Sequence, residues 1–268
     1  MVSNIFYEAF QTNSPWMISL IIINLILCIY PILGAMFWFF GVISYVLFRQ
    51  KEELPPKAEI TTEPFVTIMI PAHNEEIVIK STLEYLLTQL NYHNYEVLVM
   101  DDGSDDRTPE ILRSMQAKYS RLRVIRIEQN QGKAHAFNIG LFFAKGEYIL
   151  SNDADTIPET DALIKYMQYF TSTNGINYAA ITANMDVYNR SSLWGKSQTV
   201  EFSSIVGIIK RSQTAINNTM YAYSGANTMY RRDFLINVGG FRQDRATEDI
   251  RILWHHTFTN ATSKLALD

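Results

Sequence analysis

Two aspartates, Asp153 and Asp155, follow directly after the apolar run 148–150. A short apolar run of this kind predicts a buried strand, and side chains two positions apart in an extended segment lie on one face. Two carboxylates at the carboxyl end of a strand suit Mg²⁺ or Mn²⁺ bound to a substrate diphosphate. An aspartate pair alone is better explained by a solvated turn, so its interpretation depends on the elements around it.

Those elements are predicted to be alternating strands and helices from residue 65 onward. Strands are predicted at 65–70, 95–100, 122–127, 147–150 and 178–182, and helices at 76–89, 108–119, 133–144 and 159–170. Near-continuous apolar strands separated by helices indicate an α/β fold, with a mostly parallel sheet covered on both faces. After residue 183 the alternation stops, and the pattern predicts a long helix over 192–212 and a short one over 248–256.

Polar segments follow four of the predicted strands. They are Pro71-Ala-His-Asn-Glu-Glu76, Asp101-Asp-Gly-Ser-Asp-Asp106, Asn130-Gln-Gly-Lys133 and Asp153-Ala-Asp155. Each one alone could be a turn or a helix cap, but the carboxyl ends of parallel strands share one edge and can form one crevice. There Asp101 and Asp102 could accept hydrogen bonds from a base or ribose, and Lys133 at a helix start could bind phosphate. Together the segments favour a nucleoside diphosphate site.

Several other classes of protein are disfavoured. The sequence contains no G-x-x-x-x-G-K-[ST] loop and no G-x-G-x-x-G segment, which argues against a P-loop nucleotidase and a Rossmann dehydrogenase. The net charge is −4 and no basic block is present, so nucleic acid is not an expected partner. The one cysteine, Cys28, lies in an apolar run, which excludes a disulfide framework and fits a reducing, cytoplasmic setting for the soluble part.

The N-terminal region predicts a membrane segment. Residues 9–48 carry no charged side chain, and 16–48 would form roughly 50 Å of helix against a hydrocarbon core of about 30 Å. Because Pro31 lies near the middle, one broken or tilted span and two short spans turning near Pro31 both remain open. Arg49 and Lys51 follow, which places the rest of the chain in the cytoplasm. The predicted organisation is a lead-in (1–15), a transmembrane segment (16–48), a linker (49–64) and a catalytic domain (65–268).

The motifs together resemble those of family 2 glycosyltransferases, which have a GT-A fold. The matching segments are Pro71-Ala-His-Asn-Glu75, Asp101-Asp-Gly-Ser104, Gln131-Gly-Lys133, Asp153-Ala-Asp155 and Thr247-Glu-Asp249. Further segments are most similar to the bacterial poly-β-1,6-N-acetylglucosamine synthases of biofilm formation. These are Phe37-Trp-Phe-Phe-Gly41, Leu193-Trp-Gly-Lys-Ser-Gln198, Glu201-Phe-Ser-Ser, Ile208-Ile-Lys-Arg-Ser-Gln213 and Ser224-Gly225.

The resemblance implies a role for individual residues. The residues implied to bind the nucleotide are Pro71, Ala72, Asn74, Glu75, Asp101, Asp102, Lys133 and Asp153. Asp153 and Asp155 are implied to hold Mg²⁺ or Mn²⁺ on the UDP diphosphate. The residues implied to lie at the donor sugar or the acceptor are Ala154, Ser224, Gly225 and Glu248. Asp249 is implied to be the general base that takes a proton from the acceptor hydroxyl.

The resemblance also implies an activity and a location. We expect an inverting, membrane-anchored enzyme that moves N-acetylglucosamine from UDP-GlcNAc to a β-linked extracellular polysaccharide. Its expected location is the bacterial plasma membrane, with the catalytic domain cytoplasmic, and its expected partners are the polysaccharide acceptor, membrane lipid and a small membrane subunit.

Three alternatives stay open. Family members continue with a Q-x-x-R-W motif and further membrane helices, which the sequence up to Asp268 lacks, so we expect a C-terminally truncated catalytic domain. A non-catalytic UDP-binding membrane partner is therefore one alternative. The product could also be chitin, hyaluronan or a glucan, and a Mg²⁺-dependent phosphotransferase is a third, weaker alternative.

Overall fold

A six-stranded sheet organises the part of the chain that the computed structural model describes, residues 15–49, 60, 63–171, 178–183, 185–187, 190–213 and 225–242. The strands are β1 (Val66–Ala72), β2 (Tyr95–Asp102), β3 (Leu122–Ile127), β4 (Tyr148–Ser151), β5 (Ala180–Thr182) and β6 (Thr228–Arg231). Their order across the sheet is β3-β2-β1-β4-β6-β5. The first four strands are parallel, whereas β6 runs antiparallel to both β4 and β5. The carboxyl ends of β1 to β4 therefore share one edge.

Helices cover both faces of this sheet, as continuous apolar strands require. One face packs against α2 (Ile79–Thr88), α3 (Thr108–Lys118) and α5 (Ala162–Phe170). The opposite face packs against α4 (Lys133–Phe143) and α7 (Arg232–Asn237). Alternate residues of one strand serve the two cores: Ile68 and Ile70 of β1 belong to the first, and Met69 between them belongs to the second. The predicted fold class, a mostly parallel sheet with helices on both faces, is confirmed.

The structure corrects several predicted boundaries. Strand β2 continues to Asp102, because Asp101 still pairs with Ala72 of β1 and Arg126 of β3. Strand β6 and helix α7 were not predicted at all. Strand β6 is only four residues long, with the sequence Thr-Met-Tyr-Arg, and this apolar run is too short to indicate a strand. The short helix predicted over 248–256 lies outside the described residues.

The N-terminal segment is one continuous helix, α1 (Pro15–Ser44), extended by a π-helical turn (Tyr45–Arg49). Pro31 lies inside it, so the described chain does not turn at this point. The apolar stretch Pro15–Phe48 includes 18 consecutive residues with a mean hydropathy of 2.5 and is long enough to cross a bilayer.

The helix predicted over 192–212 begins as an α-helix over Leu193–Phe202, continues with π-helical geometry over Ser203–Lys210 and ends with helical residues 211–213. The whole of this helix is called α6. Ser192 caps its start, because the Ser192 hydroxyl accepts a hydrogen bond from the Gly195 amide at 3.0 Å. The C-terminal end of this helix packs against α1.

Candidate active site

A cleft of about 320 Å³ opens where the carboxyl ends of β1, β2 and β4 meet the start of α4. Its lining residues are Pro71, Ala72, His73, Glu75, Asp102, Asn130, Gly132, Lys133, Asp153, Ala154 and Asp155. All four polar segments singled out in the sequence contribute to it. The parallel arrangement of β1 to β4 is what brings them together, since each segment follows one of those strands.

Hydrogen bonds between the loops after β1 and β2 fix the first side of the cleft. The Asn74 amide donates to Ser104 Oγ at 3.0 Å, and the Asp105 amide donates back to Asn74 Oδ1 at 2.9 Å. The Glu75 amide donates to Thr108 Oγ1 at 2.9 Å. Asn74 has a φ of 57°, which asparagine tolerates better than most residues. The Asn74 side chain therefore ties the two loops together, and Asn74 is not among the lining residues.

Asp102 joins three strand-end loops at the floor of the cleft. Its carboxylate accepts hydrogen bonds from the amides of Gln131 at 3.1 Å and Gly132 at 2.8 Å. Its backbone carbonyl lies 2.8 Å from Nδ1 of His73. Because a carbonyl can only accept, Nδ1 of His73 carries a hydrogen, and the neutral ring then has an unprotonated Nε2.

The carboxylate of the neighbouring residue, Asp101, lies in the protein interior. It is 1% exposed and does not line the cleft. Its Oδ2 accepts a hydrogen bond from Arg126 Nη1 at 2.5 Å, and its Oδ1 accepts one from the Ser104 amide at 3.1 Å. Gly103 follows with a φ of 68°, and a Cβ there would lie 2.7 Å from the Asn130 amide nitrogen. Asp101 thus braces the loop on which Asp102 depends.

Lys133 and Asp153 form an ion pair across the cleft. The Lys133 Nζ lies 2.6 Å from Asp153 Oδ1, and each side chain is 34% exposed. Lys133 is the first residue of α4, where the positive end of the helix dipole adds to the ammonium charge. An anion that enters the cleft therefore meets the Lys133 ammonium and the N-terminus of α4. The nearby Asp153 carboxylate is already paired with Lys133.

The turn that carries Asp153 and Asp155 is held by Asn152. The Asn152 side-chain amide donates to the carbonyls of Asp153 at 2.9 Å and Thr156 at 2.8 Å. Its Oδ1 is buried and has no hydrogen-bond partner within the described residues. Asp155 is exposed, and among the described residues its one hydrogen bond is a long one (3.4 Å) from Thr156 Oγ1.

These carboxylates fit a divalent cation of the kind that the sequence suggested. No cluster of three or more His, Cys, Asp or Glu side chains able to hold a metal occurs in the described part of the chain. Mg²⁺ commonly uses one or two carboxylates and completes its shell with substrate phosphates and water. Two carboxylates beside an anion-attracting helix start match that pattern better than a metal site built by the protein alone.

The negative charge of the cleft affects the pKa of Glu75, which lines the same cleft. Burial raises the pKa of Glu75 above its ordinary 4.5, and the charges of Asp155, Asp106 and Asp153 raise this pKa further. A cation or a hydrogen-bond donor that binds between these carboxylates would relieve that repulsion.

The predicted site residues divide into four groups. Asn74 and Asp101 are held by hydrogen bonds beside the cleft and do not line it. Those that line the cleft are Pro71, Ala72, Glu75, Asp102, Lys133, Asp153, Ala154 and Asp155. Gly225 lies beside β4, where its carbonyl accepts a hydrogen bond from Ser151 Oγ at 2.9 Å. Ser224, Glu248 and Asp249 lie outside the described residues, so their roles stay predictions.

Three lining residues were not among the predicted site residues: His73, Asn130 and Gly132. All three lie inside the polar strand-end segments. Their position in the sequence could have identified them, because every residue directly after a parallel strand is a candidate lining residue.

Comparison with known proteins gives a family match and named relatives. Residues 67–239 match the family model described as Glycosyl transferase family 2. A poly-beta-1,6-N-acetyl-D-glucosamine synthase of Staphylococcus epidermidis is 33% identical over 231 residues, which cover 85% of this chain and 55% of the relative. The synthase of the same name from Staphylococcus aureus strain COL is 32% identical over the same span. The chain thus spans about half the length of these curated relatives.

Solved structures share the fold at low sequence identity. A mannosyltransferase from Pyrobaculum calidifontis, in complex with GDP-Man and Mn²⁺, superposes with a TM-score of 0.68 at 21% identity, covering 90% of this chain and 66% of that chain. S. aureus TarS 1-349, in complex with UDP-GlcNAc, gives a TM-score of 0.58 at 21% identity, covering 76% of this chain and 56% of that chain. The family model covers well over half of the sequence, and the chain therefore belongs to glycosyl transferase family 2.

Proposed function

We propose that this chain is a membrane-anchored, inverting glycosyltransferase. It moves N-acetylglucosamine from UDP-GlcNAc to a growing β-linked polysaccharide of the poly-N-acetylglucosamine type. The observation that carries the proposal is the convergence of Asp102, Lys133, Asp153 and Asp155 on one cleft at the carboxyl edge of the sheet. The sugar is supported by the named synthases and by the ligand of the TarS structure.

Donor binding uses the two sides of the cleft differently. Asp102 accepts two backbone hydrogen bonds but has lone pairs left for the base or ribose. His73 and Glu75 line the same side. Lys133 and the start of α4 face the diphosphate, and Lys133 exchanges its ion pair with Asp153 for one with phosphate.

Asp153 and Asp155 are the residues that would hold Mg²⁺ or Mn²⁺ against the diphosphate. When bound, such a cation neutralises the charge that develops on the departing UDP. Asn152 keeps both carboxylates in position by fixing the turn that carries them. The Pyrobaculum neighbour contains Mn²⁺, which supports a divalent cation without distinguishing the two metals.

Transfer needs a base on the acceptor side, and we assign that role to Asp249. The base takes the proton of the acceptor hydroxyl while its oxygen attacks the anomeric carbon from the side opposite UDP. A carbon–oxygen bond to the acceptor forms as the bond to the UDP oxygen breaks, which inverts the configuration. Ser224, Gly225, Ala154 and Glu248 are proposed to hold the sugars.

The chain is proposed to act at the bacterial plasma membrane. Helix α1 would anchor it, and Arg49 and Lys51 favour a cytoplasmic catalytic domain. The acceptor polysaccharide, membrane lipid and a small membrane subunit are the proposed partners.

Calorimetric titration tests the donor site first. UDP should bind in the presence of Mn²⁺ or Mg²⁺, and this binding should weaken strongly when EDTA is added. GDP and CDP are the matched control ligands. Absence of metal-dependent UDP binding would refute the site assignment. A panel of radiolabelled donors then tests the sugar, since incorporation from UDP-glucose alone would overturn the GlcNAc assignment. Binding without turnover would instead favour a non-catalytic membrane partner.

A further inference from the structure

Helix α1 is longer than a bilayer requires. Its apolar stretch Pro15–Phe48 contains 34 residues, which at 1.5 Å per residue extend about 51 Å. The hydrocarbon core of a bilayer is about 30 Å thick and needs about 20 helical residues. About two fifths of the stretch must therefore lie outside the core, unless the whole helix tilts steeply.

The packing of α6 against α1 shows which part of the apolar stretch lies outside the core. The Ser212 hydroxyl lies 3.2 Å from the Trp38 carbonyl oxygen, and also 2.7 Å from that of Ile208 one turn earlier. The Arg211 guanidinium lies 5.7 Å from the centre of the Tyr45 ring. Gly41, between these two contacts, is the buried residue of α1.

This contact brings charge to the level of residues 38–45. Lys210 is 7% exposed and Arg211 follows it directly. If the hydrocarbon core reached Arg49, Trp38 would lie about 16 Å inside it, and the end of α6 would be carried in beside it. Charged side chains are strongly disfavoured at such a depth. A hydrocarbon core that ends near Trp38 avoids this cost.

The part of α1 before Trp38 is the right length for one span. Trp16 and Trp38 are 22 residues apart, or about 33 Å along the helix, and tryptophan is enriched at both bilayer surfaces. Two hydrophilic side chains between them bond within the helix: Ser19 Oγ donates to the Pro15 carbonyl at 2.8 Å, and Asn24 Nδ2 donates to the Leu20 carbonyl at 2.9 Å. Both are thus satisfied without water.

We propose that the bilayer surface crosses α1 at Trp38. Residues 16–37 span the membrane, and residues 38–48 project from it as a stalk against which α6 holds the catalytic domain. The inference rests on the membrane anchoring in the proposed function. The domain is then tied to the membrane by a packed helix contact as well as by the linker, so the donor cleft keeps a fixed distance from the bilayer.

Thiol labelling in inverted membrane vesicles, which expose the cytoplasmic face, tests this inference. Leu33 and Leu47 are a matched pair because they are 59% and 57% exposed in the protein itself. Leu33→Cys and Leu47→Cys, each combined with Cys28→Ser, are treated with a membrane-impermeant maleimide. We expect Leu47→Cys to react at least tenfold faster than Leu33→Cys in vesicles, and the two to react similarly in detergent.

The native Cys28 allows membrane anchoring to be tested separately from the position of the bilayer surface on α1. It is exposed on α1 near the middle of the proposed span, so wild-type protein should be labelled only after detergent is added. Labelling of Cys28 in intact vesicles would refute membrane anchoring. Protection of Cys28 together with protection of Leu47→Cys would leave the anchor standing and overturn the stalk, because the core would then extend toward Arg49. Retained UDP binding by each variant confirms that it is folded.

Discussion

Two clefts of similar size open at opposite edges of the sheet. The donor cleft at the carboxyl edge measures about 320 Å³, and the cleft at the other edge measures about 350 Å³. The second is lined by Glu147, Tyr148, Arg231, Arg232, Asp233 and Ile236. Volume therefore does not distinguish a ligand site from a gap between elements.

The two clefts differ in how their charged groups are used. In the second, Arg231 donates from Nε to the Tyr178 carbonyl at 2.8 Å and from Nη2 to the Phe170 carbonyl at 3.3 Å. Its guanidinium also lies over the ring of Tyr148, whose pKa is raised by burial, so that this phenol stays protonated. In the donor cleft, Asp155 is exposed and has one long hydrogen bond. The Arg231 guanidinium thus stabilises the fold through backbone partners, whereas the Asp155 carboxylate faces the opening of its cleft.

The strongest test of this contrast removes one carboxylate from each cleft. Asp155→Asn should weaken metal-dependent UDP binding by about 100-fold, because the proposed metal loses a charged ligand worth several kcal/mol. Asp233→Asn is the matched control in the other cleft and should leave UDP affinity unchanged. Titration calorimetry with Mn²⁺ measures both. Equal effects of the two substitutions would contradict the assignment of function to one cleft alone.

The next prediction concerns the second cleft and the stability of the fold. Arg231→Met should lower the free energy of unfolding by about 2–3 kcal/mol, because two carbonyls lose their charged donor. Arg232→Met is the control, since its Nε is buried without a partner in the described region and little is lost with it. Urea denaturation measures both, and UDP affinity should stay unchanged in each folded variant. A larger loss from the Arg232 substitution would show that the guanidinium of Arg231 is not the brace.

Lys133→Met sharpens the comparison inside the donor cleft. UDP affinity should fall by about 10-fold, since a charge-assisted contact to phosphate is lost. Binding of Mn²⁺ without nucleotide should strengthen in the same variant, because the ammonium no longer occupies Asp153 Oδ1. Titrations with Mn²⁺ alone and with UDP plus Mn²⁺ separate the two effects. A parallel change in both affinities would indicate that Lys133 and the metal do not compete for Asp153.

The smallest expected effect is a change in pH dependence. The pKa of Glu75 is raised in the folded chain, so the folded state holds its proton more tightly than the unfolded state does. Stability should therefore fall as pH rises above about 4.5 through the raised value, and Glu75→Gln should flatten that decline. Thermal unfolding between pH 4 and 7 measures the slope. An unchanged slope in the variant would mean that Glu75 is not the responsible group.

Much of the donor side could be predicted from the sequence because it depends on local patterns. Each polar segment directly follows a recognisable strand, and parallel strands bring their ends together. The choice between Asp101 and Asp102 could not be predicted. Neighbours along a strand point to opposite faces, and sequence alone does not say which face carries Arg126 and which carries the cleft.

Other features depend on contacts between distant parts of the chain. The Lys133–Asp153 ion pair joins residues from two different strand–helix units, so no local pattern indicates it. Strand β6 is recognisable only through its pairing with β4 and β5. The contact between α6 and α1 links residues 174 positions apart. In each case tertiary pairing, which leaves no periodic signal, decides the structure.

The place of β6 in the sheet sets a limit on how the protein can be assembled during synthesis. Strand β5 is paired only with β6 in the described sheet, and their threonines Thr182 and Thr228 contact each other across 46 residues of chain. Until residue 231 has left the ribosome, β5 has no neighbour and one edge of β4 stays open. Strands β1 to β4 can pair earlier, since domains form from their N-terminal end as the chain emerges. The donor half can thus exist as a nascent sheet while the strand that completes it is still being translated.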